Sequence, residues 1–103
     1  MQVEFRDEGE RLTVRPQGRM EAADGLQFAS SVMERLQPAT RSVIIDLDQL
    51  DFISLGGVRA ILQLARSLKA TQRKLDFTGG NHAVREALHQ TGLNSFFAFT
   101  PAL

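Results

Sequence analysis

Cysteine, tryptophan and tyrosine are all absent from the 103-residue chain. Without cysteine there can be no disulfide, no thiolate nucleophile and no Cys-ligated zinc. This suits a reducing compartment, and a cytoplasmic location is the expectation. All seven aromatic residues are phenylalanine, so none can both stack and hydrogen-bond at a recognition surface. An excess of either charge is missing too: 12 Lys plus Arg face 12 Asp plus Glu, for a formal net charge of zero. That balance argues against nonspecific nucleic-acid binding and against polybasic attachment to an anionic membrane. No apolar run approaches the ~20 residues needed to span a bilayer. The opening MQVEFRD lacks the apolar core of a secretory signal. Neither nucleic acid nor direct membrane insertion is therefore expected.

What is present is ordinary for a globular domain: 43% hydrophobic and 23% charged residues. The length suits one domain over 1–103. Val3 and Phe5, then Leu12 and Val14, alternate with polar residues around Asp7-Glu8-Gly9-Glu10. This predicts a hairpin of strands 2–6 and 11–17, closed by Gly18. Leu26, Ala29, Met33 and Leu36 mark one face of a helix over 22–36, which Pro38 ends. The β-branched run from Ser42 to Leu47 reads as a strand buried on both faces. Asp48 to Asp51 reads as a turn, and Phe52-Ile53 as a short extended segment. Val58, Ile61, Leu62, Ala65 and Leu68 form the apolar stripe of a second helix, about 56–69. Lys74 to Thr78 is a further strand. Asn81 caps a third helix over about 82–91, with Val84, Ala87 and Leu88 inward. Gly92 terminates it, and Phe96 to Phe99 is a last short apolar segment. The order is an α/β layout of helices on a small mixed sheet.

The residues that could carry chemistry give little support to catalysis. Ser54 lacks the G-x-S-x-G frame of a nucleophile elbow. His82 and His89 lie two helical turns apart, too far for a shared metal, and no H-E-x-x-H motif occurs. Gly56-Gly57 and Gly79-Gly80 both precede helices but match no phosphate-loop pattern. Asp46, Asp48 and Asp51 form a carboxylate cluster without EF-hand spacing, and solvated loop acids explain them. No metal or cofactor is expected, and no enzyme. The second helix carries Arg59, Arg66 and Lys69 with no acid, a surface suited to an acidic partner or to the negative end of its own dipole. Arg59, in the first turn, gains nothing from the dipole.

Three segments taken together resemble a STAS domain, the fold shared by anti-sigma factor antagonists and the cytoplasmic tails of sulfate transporters. Gly18-Arg19-Met20-Glu21-Ala22-Ala23 is similar to the stretch between that family's strand and first helix. Ile44-Ile45-Asp46-Leu47 through Phe52-Ile53-Ser54-Leu55-Gly56-Gly57-Val58 resembles the hydrophobic-D-L, then F-I-D-S-(S/T)-G pattern. Ala83-Val84-Arg85 through Leu88, Thr91-Gly92-Leu93 and Phe96-Phe97 resembles the C-terminal V-x-x-x-L-x-x-x-G-L-x-x-x-F.

The resemblance implies a single STAS-like α/β domain, with a small mixed four- to five-stranded sheet and three to four helices. It also implies partner switching. An unphosphorylated antagonist binds an anti-sigma factor that is also a serine kinase and so frees a sigma factor; phosphorylation of the Ser or Thr before the glycine breaks the complex. A phosphate carries about −1.5 to −2 charges, which a helix N-terminus tolerates and a packed partner surface rejects. In this chain the implied acceptor position is Gly56, which has no hydroxyl. Ser54, at the family's Asp, is the loop's only hydroxyl, a relocated phosphosite or an N-cap. The implied contact surface is Ser54, Leu55, Gly56, Gly57, Val58 and Arg59, with Glu21 second and Asn81 and His82 third. The Gly56-Gly57 pair would flatten that surface and expose backbone donors. Two alternatives stand beside this: a STAS accessory subunit of a transporter or signalling complex, and a small regulator binding an anion or nucleotide at Gly56-Gly57. The sequence leaves a homodimer open.

Overall fold

The structure, a computed structural model, describes residues 1–90. Strand β1 (Gln2–Glu8) turns through Gly9 into β2 (Arg11–Met20), and the two pair antiparallel from Gln2↔Gln17 to Glu8↔Arg11. Helix α1 (Ala22–Arg35) returns the chain to β3 (Ser42–Asp46). Then come β4 (Leu50–Ile53), α2 (Leu55–Ala70), β5 (Lys74–Thr78) and α3 (His82–His89). Strand order is β1-β2-β3-β5, with β4 beside the far end of β2. Every pairing except β1–β2 is parallel. The result is a five-stranded mixed sheet and three helices among the described residues, as expected.

Period-two burial explains why the sheet has a helix side. Leu12, Val14, Val43, Ile45, Leu75 and Phe77 point one way and are buried; Thr13, Arg15, Ile44, Asp46, Asp76 and Thr78 alternate with them and are half-exposed. The helices pack on the buried side through Phe28, Val32, Ile61, Leu64, Leu68, Val84 and Leu88. The expectation that the Ser42–Leu47 strand is buried on both faces is corrected here: Ile44 reaches the open face. On that face Arg15 bridges Asp46 (3.1 Å) and Glu4 (3.8 Å).

Three other expectations change. The buried stripe of α1 is Gly25, Phe28 and Val32. Leu26 and Met33 are exposed at 60% and 39%. The helix carries two apolar stripes, and the one holding Phe28 takes the core because its Gly25 lets the helix come up against Ala60 and Gly57 of α2. Second, Leu50 and Asp51 belong to a strand and not to a turn, because the end of β2 pairs with Leu50 and Phe52 on either side of Asp51. Gly18 does not close the hairpin. It lies within β2, at φ 95°, where the register against β4 shifts, a backbone state that favours glycine. Pro38 follows α1 as expected, and Arg73 straps the segment after it, donating to the carbonyls of Thr40 and Gln37 (both 2.9 Å). Gly92, Leu93 and Phe96 to Phe99 lie outside the described residues.

Candidate functional site

Strands β2 and β4 run parallel and stop together, with Arg19 beside Phe52 and Met20 beside Ile53. Each then hands the chain to a helix, so α1 and α2 begin at the same edge of the sheet. The Ser54 N–H donates to the Met20 carbonyl at 2.9 Å, which fixes the second handover against the first. Ser54 Oγ accepts from the Gly57 N–H at 3.1 Å, and the Ser54 carbonyl accepts from the Val58 N–H at 2.9 Å. Ser54 is thus an N-cap. Glu21 stands in the corresponding place before α1, where its N–H donates to Asp24 Oδ2 at 3.0 Å.

The glycines explain how closely the two helices meet. A Cβ added at Gly56 would lie 2.5 Å from Ala22 Cβ and 3.1 Å from Ala22 Cα. One at Gly57 would lie 2.7 Å from the Met20 carbonyl oxygen, and one at Gly25 would lie 2.9 Å from Ala60 Cβ. Real Cβ atoms essentially never come within 3.0 Å of a neighbour, so the helices meet at their starts with no room for a side chain at these glycines. The expectation that Gly56-Gly57 flattens an outer surface and offers free donors is corrected accordingly. Both positions face α1 and β2, Gly57 is buried, and its N–H is already taken by Ser54.

Of the six loop residues expected at a contact surface, Gly57 and Val58 lie beneath it, and Ser54 and Gly56 are half-buried. Leu55, 63% exposed, and Arg59 one turn later face solvent. Sequence reasoning did not single out their neighbours. Phe52 is exposed at 36%, and the Arg19 guanidinium stacks over its ring, 4.2 Å from the centroid. Arg19 also lies 3.9 Å from the Glu21 carboxylate. Leu26 projects one turn after Ala22, which packs on Gly56. Beyond it a groove of about 400 Å³, with Ala29, Met33, Ala60 and Leu64 among its lining, runs between α1 and α2. The available signal for Phe52 was its place in a short extended segment just after the Asp48–Asp51 acids, where a large side chain has little room to be covered.

Other sequence candidates are placed elsewhere or are already engaged. Asn81 Oδ1 accepts from the Val84 N–H at 2.8 Å and its Nδ2 donates to the Asp51 carbonyl at 3.1 Å. It caps α3 and ties it to the start of β4, a strand's length from Ser54, and His82 follows it at the surface. Asp46 receives Arg15 and the Asp48 N–H (3.0 Å), while Asp48 Oδ1 accepts from the Gly80 N–H (3.0 Å). A carboxylate thus occupies the Gly79-Gly80 turn where an anion would have to bind. Among the described residues no group of three His, Asp or Glu is placed to hold a metal, and no helix is long and apolar enough to cross a membrane.

Comparison with known proteins agrees with this arrangement. Residues 2–103 match the STAS domain family. The chain is 31% identical over 81 residues to BtrV of Bordetella bronchiseptica, a protein named as an anti-sigma factor antagonist, covering 79% of this chain and 70% of that protein. The fold is similar to unphosphorylated SpoIIAA, an anti-sigma factor antagonist, with TM-score 0.75 at 18% identity over 99% of this chain and 90% of that one. It is also similar to the STAS domain of a SulP transporter from Vibrio cholerae, with TM-score 0.68 at 17% identity over 95% and 78%. The order of strands, the paired helix starts and the family match agree: the chain belongs to the STAS domain family.

Proposed function

We propose that the chain is a non-catalytic binding module that docks an anti-sigma factor, one that is also a serine kinase, and thereby releases a sigma factor. The docking edge is the shared start of α1 and α2: Leu55 at its centre, Leu26 and Phe52 beside it, and Arg59, Arg19 and Glu21 around them. The likeness to BtrV supports the class of partner. The observation that carries the site is Leu55, a leucine 63% exposed on the first turn of a helix. Burying one such side chain contributes about 1.5–3 kcal/mol, so three together can anchor a complex while the charged residues set its orientation. Gly56 offers no hydroxyl, so binding proceeds without the covalent off-signal placed at that position.

The test is titration calorimetry against a purified anti-sigma factor kinase recovered from the native cytosol by pull-down with this chain. Leu55→Glu should weaken binding at least ~100-fold, a loss of about 2.7 kcal/mol. Because Leu55 makes little of the core, the thermal midpoint should not move. Unchanged affinity in Leu55→Glu would remove the proposal. Incubation with the kinase and ATP should leave the unmodified chain without phosphate.

A further inference from the structure

The geometry points to Ala22 and Gly56 as an interlocked pair that bars any hydroxyl-bearing side chain from position 56, next to Leu55 on the docking edge. The inference deepens the reading above and rests on it for its meaning, since position 56 is where the family resemblance places the phosphoacceptor. The missing switch is then two changes deep: the hydroxyl is absent, and so is the space for it. A Cβ at position 56 meets Ala22 Cβ at 2.5 Å and, behind it, Ala22 Cα at 3.1 Å. A backbone atom cannot rotate aside. A wide retreat of either helix would break what joins their starts. The Ser54 N–H donates to the Met20 carbonyl (2.9 Å), two residues before Ala22, which ties the start of α2 to the strand end that leads into α1. One turn on, Gly25 lies against Ala60 and Gly57, a contact that separating the helices would open. Removing the Ala22 methyl leaves only the 3.1 Å approach, which a shift of a few tenths of an ångström relieves. Ala22 therefore decides whether position 56 can carry a kinase substrate.

A thermal unfolding cycle on the full chain tests this. Gly56→Ser should lower the midpoint by about 4–8 °C. Ala22→Gly alone should also lower it, but added to Gly56→Ser it should raise it, and this reversal of sign is the signature of the pair. If Gly56→Ser fails to fold and the double variant folds, the inference holds. If neither folds, if Gly56→Ser stays within about 2 °C of the parent, or if the effects simply add, it is overturned. A second readout uses the absence of cysteine from the chain. In single-thiol variants, maleimide should label Leu55→Cys at an exposed-thiol rate and Gly56→Cys roughly tenfold more slowly, with Ala22→Gly restoring the faster rate. Equal rates at 55 and 56 would count against it. Neither measurement involves a partner, so the interlock and the docking proposal can fail separately.

Discussion

Ser54 uses its hydroxyl inside the fold. It satisfies the Gly57 N–H, one of the donors that every helix start leaves open, and in doing so it sets the angle at which α2 leaves β4. Ser54→Ala should cost about 1 kcal/mol in urea unfolding, whereas Ser54→Asp, which keeps an acceptor in place, should stay within about 0.5 kcal/mol of the parent. Equal losses in the two would show that the cap is not what the residue contributes. The cap was legible in the sequence, because a Ser before a periodic apolar stripe is a local signal. The role of Gly56 was legible only by half. That it lacks a hydroxyl can be read directly, but that its missing side chain makes room for Ala22, 34 positions earlier in the chain, is a fact of packing that no local pattern carries.

Helix α1 shows where element-level reading succeeds and where it fails. Its span, its end before Pro38 and its apolar character all follow from the sequence. Its orientation does not, because two stripes, Leu26-Ala29-Met33 and Gly25-Phe28-Val32, share the same helical period. Counting apolar residues favours the first, since glycine scores as nothing; packing favours the second, since glycine permits contact with Ala60. The consequence is measurable. Phe28→Ala, from a side chain 1% exposed, should cost about 3–5 kcal/mol. Leu26→Gln should stay within about 0.5 kcal/mol and act on partner binding instead. The reverse ranking by chemical denaturation would mean the helix is rotated. Only the second half of strand β4, Phe52-Ile53, was legible in the sequence, for a related reason. Leu50 and Asp51 look like a turn in isolation, and only the end of β2 beside them makes them a strand.

Across the whole molecule, charge does little of the holding. The cation and acid counts cancel, and the Arg11–Glu8 and Arg19–Glu21 pairs are open to water on both sides. Such pairs contribute about 0–1 kcal/mol each. Arg15 meets a largely covered carboxylate, that of Asp46, whose side chain is 13% exposed. Raising sodium chloride from about 0.1 to 1 M, which shortens the screening length from about 10 to 3 Å, should therefore change unfolding free energy by less than about 1 kcal/mol. A larger loss would assign the charged open face of the sheet a structural weight that its geometry does not suggest.

The contact of α1 with α2 has a mechanical side. Where Ala22 meets Gly56 and Gly25 meets Ala60, there is no layer of flexible side chains to absorb a displacement, and the two rods, about 21 and 24 Å long, are clamped at the same end. A force applied at Leu55 is thus shared by both from the outset.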